Sequence, residues 1–182
     1  MKKILYINAC VRTGSRTNRL AIALLEKLGA YEEINVTKEP FLPLSEEKLE
    51  LRTALIEKGD YSDPMFDAAK KFAGADIIVI AAPYWDLSFP SALKNYIENI
   101  YVTGIVSQYG DDGMPVGMCA AEKLYYVTTA GGPYDPAYSF GYIKDVAENF
   151  FGIRETELIY ADMLDIVGND AEKILEQAIG RL

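Results

Sequence analysis

The loop at residues 10–18 has the residue types needed to bind an anion, and it lies between an apolar segment and a helical one. Ser15 and Thr17 supply hydroxyl groups, and Arg16 supplies a positive charge. The start of a helix adds unpaired backbone N–H groups and the positive end of the helix dipole. The loop matches neither the Walker pattern nor GxGxxG, which argues against an ordinary ATP or dinucleotide site. Its hydroxyls, its charge and the helix start predict a phosphate site, although serine and threonine also cap helices that bind no ligand.

A second loop, Pro83–Pro90, places Tyr84 and Trp85 side by side after the most apolar segment of the chain. Adjacent side chains at the end of a strand point to opposite sides, so the two rings are not expected to lie in the core together. Aromatic faces stack well on a flat ring, which makes this loop a candidate wall for a planar ligand. The alternative is that one ring packs on a neighbouring helix.

A third loop has paired glycines, Gly131 and Gly132, directly after a strand that ends near Thr129. Glycine lets the backbone approach a ligand closely and present its N–H groups. A simple turn would explain the pair equally well. Three such loops at the ends of three strands are stronger evidence than any one of them, because open α/β sheets bind ligands at that edge.

The segments that position these loops alternate between strand and helix patterns. Strands are predicted at residues 3–9, 33–37, 76–82, 124–129 and 156–161. Helices are predicted at residues 18–28, 45–58, 65–73, 91–102, 140–151 and 170–179. Continuous apolar runs suit parallel strands covered on both faces. The pattern predicts one α/β domain over residues 1–182, with a flavodoxin-like, doubly wound, five-stranded parallel sheet in the order 2-1-3-4-5.

Composition excludes several classes of function. The net charge of −9 opposes binding to nucleic acid. The absence of histidine excludes a Ser-His-Asp triad and histidine-ligated metals, and favours a cofactor that brings its own chemistry. The two cysteines do not form a disulfide framework, and no segment is long and apolar enough to span a membrane, so we expect a cytoplasmic protein.

The segment Pro83–Ile97 resembles the flavin loop and following helix of the flavodoxin-like NAD(P)H quinone reductases and FMN-dependent NADH azoreductases. The segment Thr129–Gly132 is similar to the Ser-Arg-Gly-Gly segment of that family, and Ser15–Thr17 lies where the family holds the FMN phosphate. The chain departs from the family at Ala9, where relatives often have serine, and at Ala130, where they have arginine. A further departure is Ser107, which stands near the position where some azoreductases have a phenylalanine over the substrate.

The resemblance implies a cofactor site in three parts. The phosphate would be held by Ser15, Arg16 and Thr17. The isoalloxazine ring would be lined by Pro83, Tyr84, Trp85, Asp86 and Leu87, and its pyrimidine side would be held by Thr129, Ala130, Gly131 and Gly132. Tyr109 and Tyr134 are candidates to lie over the ring and contact the substrate.

The same resemblance implies a function. The chain would use FMN, and not FAD, to transfer two electrons from NADH or NADPH to a quinone or an azo compound. Since no second nucleotide motif is present, donor and acceptor would share one cavity in turn, which predicts ping-pong kinetics. The family also implies a homodimer with the flavin site near the interface. The segment Tyr96–Tyr109 offers apolar residues suited to burial between subunits, although core packing within one chain would explain them equally well.

Two alternatives remain open from the sequence. The segment Cys10–Thr17 matches C-x5-R-[ST], the signature of low-molecular-weight tyrosine phosphatases, with Cys10 as nucleophile, Arg16 on the phosphate and Asp135 of an Asp-Pro pair as acid. The second alternative is a flavodoxin-type electron carrier, which would not oxidise NAD(P)H directly.

Overall fold

The computed structural model describes residues 2–39 and 41–182. Within them the strands are β1 (Ile4–Asn8), β2 (Tyr31–Asn35), β3 (Ile77–Ala81), β4 (Ser107–Tyr109), β5 (Pro115–Gly117), β6 (Lys123–Thr129) and β7 (Glu155–Ala161). Five of them form a parallel sheet in the order β2-β1-β3-β6-β7, which confirms the predicted flavodoxin-like order. Strands β4 and β5 pair separately as an antiparallel hairpin.

Strands β1 and β3 are buried because each has a neighbouring strand on both sides and helices on both faces. Every residue of β1 and of β3 is buried, as their continuous apolar sequences predict. At the edge of the sheet, β2 buries Ile34 and exposes its first three residues. The sequence pattern places this strand two residues later, because Val36 is also buried and donates its N–H to Asn8 O (3.0 Å) just beyond the strand.

The helices are α1 (Arg16–Leu28), α2 (Glu46–Glu57), α3 (Asp67–Ala73), α4 (Ser91–Ile100), α5 (Phe140–Val146) and α6 (Ala171–Gly180). The side chains of Ser15, Ser45 and Asp170 cap α1, α2 and α6 by accepting a backbone N–H three residues later. A 3₁₀ turn at Pro64–Phe66 precedes α3, and a π-helical turn at Ala147–Phe151 continues α5. No helix in the described ranges is both long enough and apolar enough to span a membrane.

Helices cover both faces of the sheet and create two apolar layers. On one face, α3 and α4 bury Phe72, Leu93 and Tyr96 against the sheet. On the other face, α1 and α6 bury Leu20 and Leu175. Burial of such side chains is the main stabilising contribution to a domain of this kind.

The β4–β5 hairpin lies in the stretch 107–121 that the sequence pattern leaves irregular. Each strand has three residues, which is too short for a periodic pattern. The base of the hairpin packs tightly on the turn before β7: a Cβ on Gly117 would lie 2.1 Å from the backbone N of Gly152. Cys119 N–H also donates to Phe151 O (3.2 Å) in this region.

The amino-terminal ends of the strands are joined by ion pairs. Lys2 Nζ lies 2.6 Å from a Glu122 carboxylate oxygen. Lys123 Nζ lies 2.7 Å from Glu155 and 2.8 Å from Glu157. These pairs are largely at the surface, so each contributes modestly to stability.

Candidate functional site

A cavity of about 490 Å³ opens at the carboxyl-terminal ends of the strands. Its walls come from the loops after β1, β3, β6 and β7, which is the edge where open α/β sheets bind ligands. Its lining residues are Val11, Arg12, Thr13, Gly14, Ser15, Arg16, Thr17, Pro83, Tyr84, Trp85, Thr129, Ala130, Gly131, Leu164 and Asp165. The structure therefore brings together the three loops that the residue types and spacing predicted as a site.

The start of α1 forms one end of the cavity. Gly14 has a φ of 76°, a left-handed conformation that favours glycine and turns the chain into the helix. Ser15 Oγ accepts the N–H of Asn18 (3.3 Å), so it acts as the helix cap. The amides of Gly14, Arg16 and Thr17 donate no hydrogen bond within the part of the chain that the structure describes. A row of free N–H groups at a helix start is suited to an anion.

Thr17 connects this end of the cavity to the opposite wall. Its hydroxyl lies 2.6 Å from the hydroxyl of Thr129 at the end of β6, and both side chains are buried. The contact fixes the distance between the α1 loop and the β6 loop. Thr17 and Thr129 were both predicted site residues, and the structure adds that they hold each other.

An ion pair crosses the cavity from Arg16 to a residue that sequence reasoning missed. Arg16 Nη1 lies 2.7 Å from Asp165 Oδ1. Asp165 follows β7 and is fixed by its backbone, since its N–H donates to Gly131 O (2.8 Å). Its carboxylate also lies over Gly131, where an added Cβ would be 2.4 Å from Asp165 Oδ2. Leu164, also missed, donates its N–H to Ala130 O (3.2 Å).

The aromatic loop forms the other end of the cavity and then turns away. Trp85 N–H donates to Ser88 O (3.0 Å), and Ser88 N–H donates to Trp85 O (2.8 Å). The two residues between them, Asp86 and Leu87, have φ values of 50° and 67°. Positive φ at both central residues defines a type I′ turn, and it is strained without glycine. Asp86 and Leu87 are exposed beyond the lining residues, whereas Pro83, Tyr84 and Trp85 line the cavity.

Tyr84 and Tyr134 pack against each other behind this wall. Their ring centroids are 4.9 Å apart with an edge-to-face geometry. Tyr134 Oη lies 2.9 Å from Ser139 Oγ, and burial raises the pKa of Tyr134. Tyr84 Oη is buried without a hydrogen-bond partner among the described residues. Tyr134, a predicted substrate residue, therefore supports Tyr84 from behind and does not line the cavity of this chain, and neither does Gly132.

Tyr109, the other predicted substrate residue, lies on β4, away from the cavity lining. The base of its hairpin is hydrogen-bonded to Phe151 and Ala73, which precede β7 and β3. These are the amino-terminal ends of the strands, whereas the cavity lies at the carboxyl-terminal ends. The Tyr109 side chain is 60% exposed.

The phosphatase alternative does not fit this geometry. Cys10 is buried and does not line the cavity. Burial raises the pKa of the Cys10 thiol to about 11, so at neutral pH it is protonated and a poor nucleophile. Asp135 is exposed, and its carboxylate accepts the N–H of Ala137 (2.9 Å). Arg16 is paired with Asp165 instead of facing a thiolate.

The sheet order and the position of the cavity define the class: a flavodoxin-like α/β protein with a ligand site at the carboxyl ends of its central strands. Residues 2–182 match the family model described as "Flavodoxin-like fold". The chain belongs to this family.

Two relatives match over nearly their whole length. An FMN-dependent NADH:quinone oxidoreductase 2 from Clostridium acetobutylicum is 35% identical over 194 residues, which covers 98% of this chain and 95% of the relative. An FMN-dependent NADH:quinone oxidoreductase from Clostridium beijerinckii is 35% identical, covering 100% of this chain and 96% of the relative.

Solved structures show the same fold at lower identity. An azoreductase from Bacillus anthracis superposes with a TM-score of 0.84 at 22% identity, covering 100% of this chain and 96% of that one. An FMN-dependent NADH-azoreductase from the same species, in complex with FMN, superposes with a TM-score of 0.81 at 23% identity, covering 100% and 95%.

Proposed function

We propose that this protein is an FMN-dependent NAD(P)H oxidoreductase that reduces quinones or azo compounds by two electrons. The observation that carries the proposal is one cavity with free helix-start N–H groups at one end and an aromatic wall at the other. Relatives at 35% identity over nearly the full length are named for this activity.

The residues at the helix start fit the phosphate of FMN. The free amides of Gly14, Arg16 and Thr17 supply donors for phosphate oxygens, and Ser15 adds a hydroxyl. Arg12 and Arg16 supply positive charge. Ala9 is buried and supplies no hydroxyl, so these groups would bind the phosphate without one.

The other end of the cavity fits the flat ring system. Trp85 is 39% exposed and Tyr84 lies beside it, packed against Tyr134, so the wall is largely aromatic. The amides of Gly131 and Gly132 donate no hydrogen bond within the described residues. Free N–H donors at this point would stabilise negative charge on the pyrimidine side of the ring, as an oxyanion hole does. We propose this donor role for Gly131 and Gly132. Thr129 and Ala130, whose hydroxyl and N–H pair with Thr17 and Ala161 O, would hold the same side of the ring by contact.

The chain's own residues would bind and orient, and FMN, when bound, would supply the redox chemistry, which is hydride acceptance from the nucleotide and two-electron reduction of the acceptor. Trp85 and Tyr84 would shape the exposed ring face on which nicotinamide or acceptor stacks. The cavity of about 490 Å³ would be occupied by FMN itself, and the chain has no second nucleotide motif, so donor and acceptor would stack in turn on the exposed face of the bound ring. Since the chain has no histidine, protons would come from solvent or a tyrosine.

Flavin content tests the proposal first. The purified protein is expected to be yellow, and flavin released by heat is expected to run as FMN in chromatography. FAD, or no flavin after attempts at reconstitution, would contradict the cofactor assignment. FMN-loaded protein is then mixed anaerobically with NADH or NADPH, and loss of the flavin absorbance is expected. A flavin that neither nucleotide bleaches would instead identify an electron carrier.

Steady-state kinetics test the shared cavity. Parallel double-reciprocal lines are expected when the acceptor is varied at several fixed nucleotide concentrations. Intersecting lines would show that both substrates bind together, which one shared cavity does not allow.

A homodimer is the second part of the proposal. Most of the apolar residues of segment 96–109, such as Tyr96, Ile100 and Val106, are buried in the core of their own chain, so the interface would lie at the end of that segment and beyond it. The β4–β5 hairpin and its flank expose four large side chains: Tyr109 (60%), Met114 (61%), Val116 (46%) and Met118 (42%). Such a patch is suited to burial against a second copy. A second copy would also explain how Tyr109 reaches a substrate, since it does not line the cavity of its own chain.

Light scattering during gel filtration tests the dimer. The native chain is expected to have twice its sequence mass, and Tyr109→Glu is expected to shift it towards monomer. Leu51→Glu is the control, because Leu51 is half-exposed on α2, outside the hairpin. A native monomer at micromolar concentration would exclude the dimer.

We further propose that residues 1–182 act as one domain in the cytoplasm.

A further inference from the structure

The carboxylate of Asp165 lies in the wall of a cavity that is proposed to hold a phosphate. The charged lining residues are Arg12, Arg16 and Asp165, which is two positive charges and one negative. A flavin 5′-phosphate carries close to two negative charges at neutral pH. Asp165 therefore halves the net positive charge available to it, from two to one.

The backbone of Asp165 is held beside the β6 loop, which places its side chain at the cavity wall. Its backbone N–H donates to Gly131 O (2.8 Å), and the neighbouring Leu164 N–H donates to Ala130 O (3.2 Å). The carboxylate spans from above Gly131 to Arg16 Nη1, 2.7 Å away. It occupies the side of Arg16 that faces the β6 loop.

The ion pair itself contributes little to folding stability. The side chains of Arg16 and Asp165 are 37% and 69% exposed. Pairs this accessible are worth at most about 1 kcal/mol. The main consequence of Asp165 is therefore the charge that a bound anion meets.

We propose that Asp165 is a specificity-determining residue that competes with the flavin phosphate for Arg16. It limits how strongly the cavity prefers FMN to riboflavin, which differs from FMN only by lacking the phosphate. The inference rests on the proposed function, because it assumes that the cavity holds a flavin with its phosphate at the start of α1.

The chain contains a matched control. Arg19, one turn further along α1, forms a two-point pair with Glu172 at 2.8 and 2.9 Å. Glu172 lies on α6 and does not line the cavity. Glu172→Gln removes one negative charge from the same side of the protein and frees an arginine on the same helix. A general change in the protein's field would affect both variants alike.

The experiment measures dissociation constants of FMN and riboflavin for the flavin-free, full-length protein by quenching of flavin fluorescence. At low salt, Asp165→Asn is expected to raise the preference for FMN over riboflavin roughly three- to tenfold, with riboflavin affinity little changed. High salt is expected to reduce this gain. Glu172→Gln is expected to change the preference less than about twofold.

Arg16→Gln is expected to lower the preference for FMN, and Asp165→Asn in that background is expected to have a smaller effect. An unchanged or lower preference in Asp165→Asn overturns the inference, as does an equal gain in Glu172→Gln. If the native protein binds riboflavin and FMN with equal affinity, and Asp165→Asn also binds both with equal affinity, the inference is overturned as well. A native protein that binds neither flavin overturns the proposed function and this inference together.

Discussion

The two ends of the same parallel sheet have different roles. At the amino-terminal ends, ion pairs such as Lys2–Glu122 and Lys123–Glu155 link the starts of different strands, and glycine backbone packs on glycine backbone where Gly117 meets Gly152. At the carboxyl-terminal ends, the loops diverge around a cavity: side chains connect the α1 loop to the β6 and β7 loops, and backbone hydrogen bonds connect the β6 and β7 loops to each other. The strands supply a common buried core, so the chemistry of the protein depends on the loop at the carboxyl end of each strand.

The close packing at the amino-terminal ends of the strands predicts the largest effect on folding stability. Gly117→Ala is expected to destabilise the protein by about 2–3 kcal/mol, because the added Cβ would meet the Gly152 backbone, which cannot rotate aside as the end of a side chain can. Urea unfolding measures the change. Gly180→Ala in α6 is the control; it meets no atom within 4 Å and is expected to be neutral or stabilising.

The matching change at the other end of the sheet is Gly131→Ala. Its Cβ would meet the Asp165 carboxylate, the movable end of a side chain. The expected cost is below about 1 kcal/mol. If Gly131→Ala destabilises the protein as much as Gly117→Ala, the two ends do not differ in rigidity.

Thr17→Val tests the link across the cavity and is expected to cost about 1–2 kcal/mol in the flavin-free protein. The change removes the contact of 2.6 Å to Thr129 and leaves that buried hydroxyl without its partner. Thermal unfolding compares it with Thr53→Val, an exposed threonine on α2. Equal losses in the two variants would show that the contact contributes nothing specific.

Lys123→Gln tests the ion pairs at the amino-terminal ends, with an expected cost below about 1 kcal/mol. The hydrogen bonds to Glu155 and Glu157 raise the pKa of Lys123. Because the folded-state pKa is the higher one, the stabilisation is present below the ordinary lysine value of 10.5 and is lost as pH rises above it.

Urea unfolding at pH 8 and above pH 11 measures the loss. Lys58→Gln is the control, since no ion pair of Lys58 is found in the described structure. A difference between native and Lys123→Gln protein that persists unchanged at the higher pH would contradict the assignment.

Cys10→Ser is expected to have the smallest effect, with quinone reduction nearly unchanged and no hydrolysis of phosphate esters in either protein. The thiol is buried and its pKa is raised to about 11, so it is not a nucleophile at neutral pH. A phosphatase activity that Cys10→Ser abolishes would restore the alternative that the C-x5-R-[ST] pattern suggested.

Most of the fold could be predicted because long apolar strands and amphipathic helices leave a clear pattern. The hairpin at β4 and β5 could not, since three-residue strands have no period to detect. The π turn at Ala147–Phe151 was likewise hidden inside a helical pattern that continues through it. Both features depend on tertiary packing near Gly117 and Phe151, not on local sequence.

The site was predictable where residue type and loop position coincide, as at Ser15–Thr17 and Tyr84–Trp85. Asp165 was missed because a lone acidic residue after the last strand carries no motif. The sheet order supplied a usable signal, however: β7 neighbours β6, so the residues after β7 must lie beside the Gly131 loop. Asp86 and Leu87 lie outside the cavity lining, in a turn where both residues adopt a positive φ that their side chains do not predict.

The order of the strands also determines when the cavity can exist during synthesis of the chain. Its walls come from residues 11–17, 83–85, 129–131 and 164–165, so the first wall leaves the ribosome long before the last. The strands β2, β1 and β3 can pair once residue 81 is available. Arg16, by contrast, can pair with Asp165 only after 149 further residues have been synthesised. The emerging protein can therefore pair three of the five strands of its sheet well before it has a complete place for its proposed cofactor.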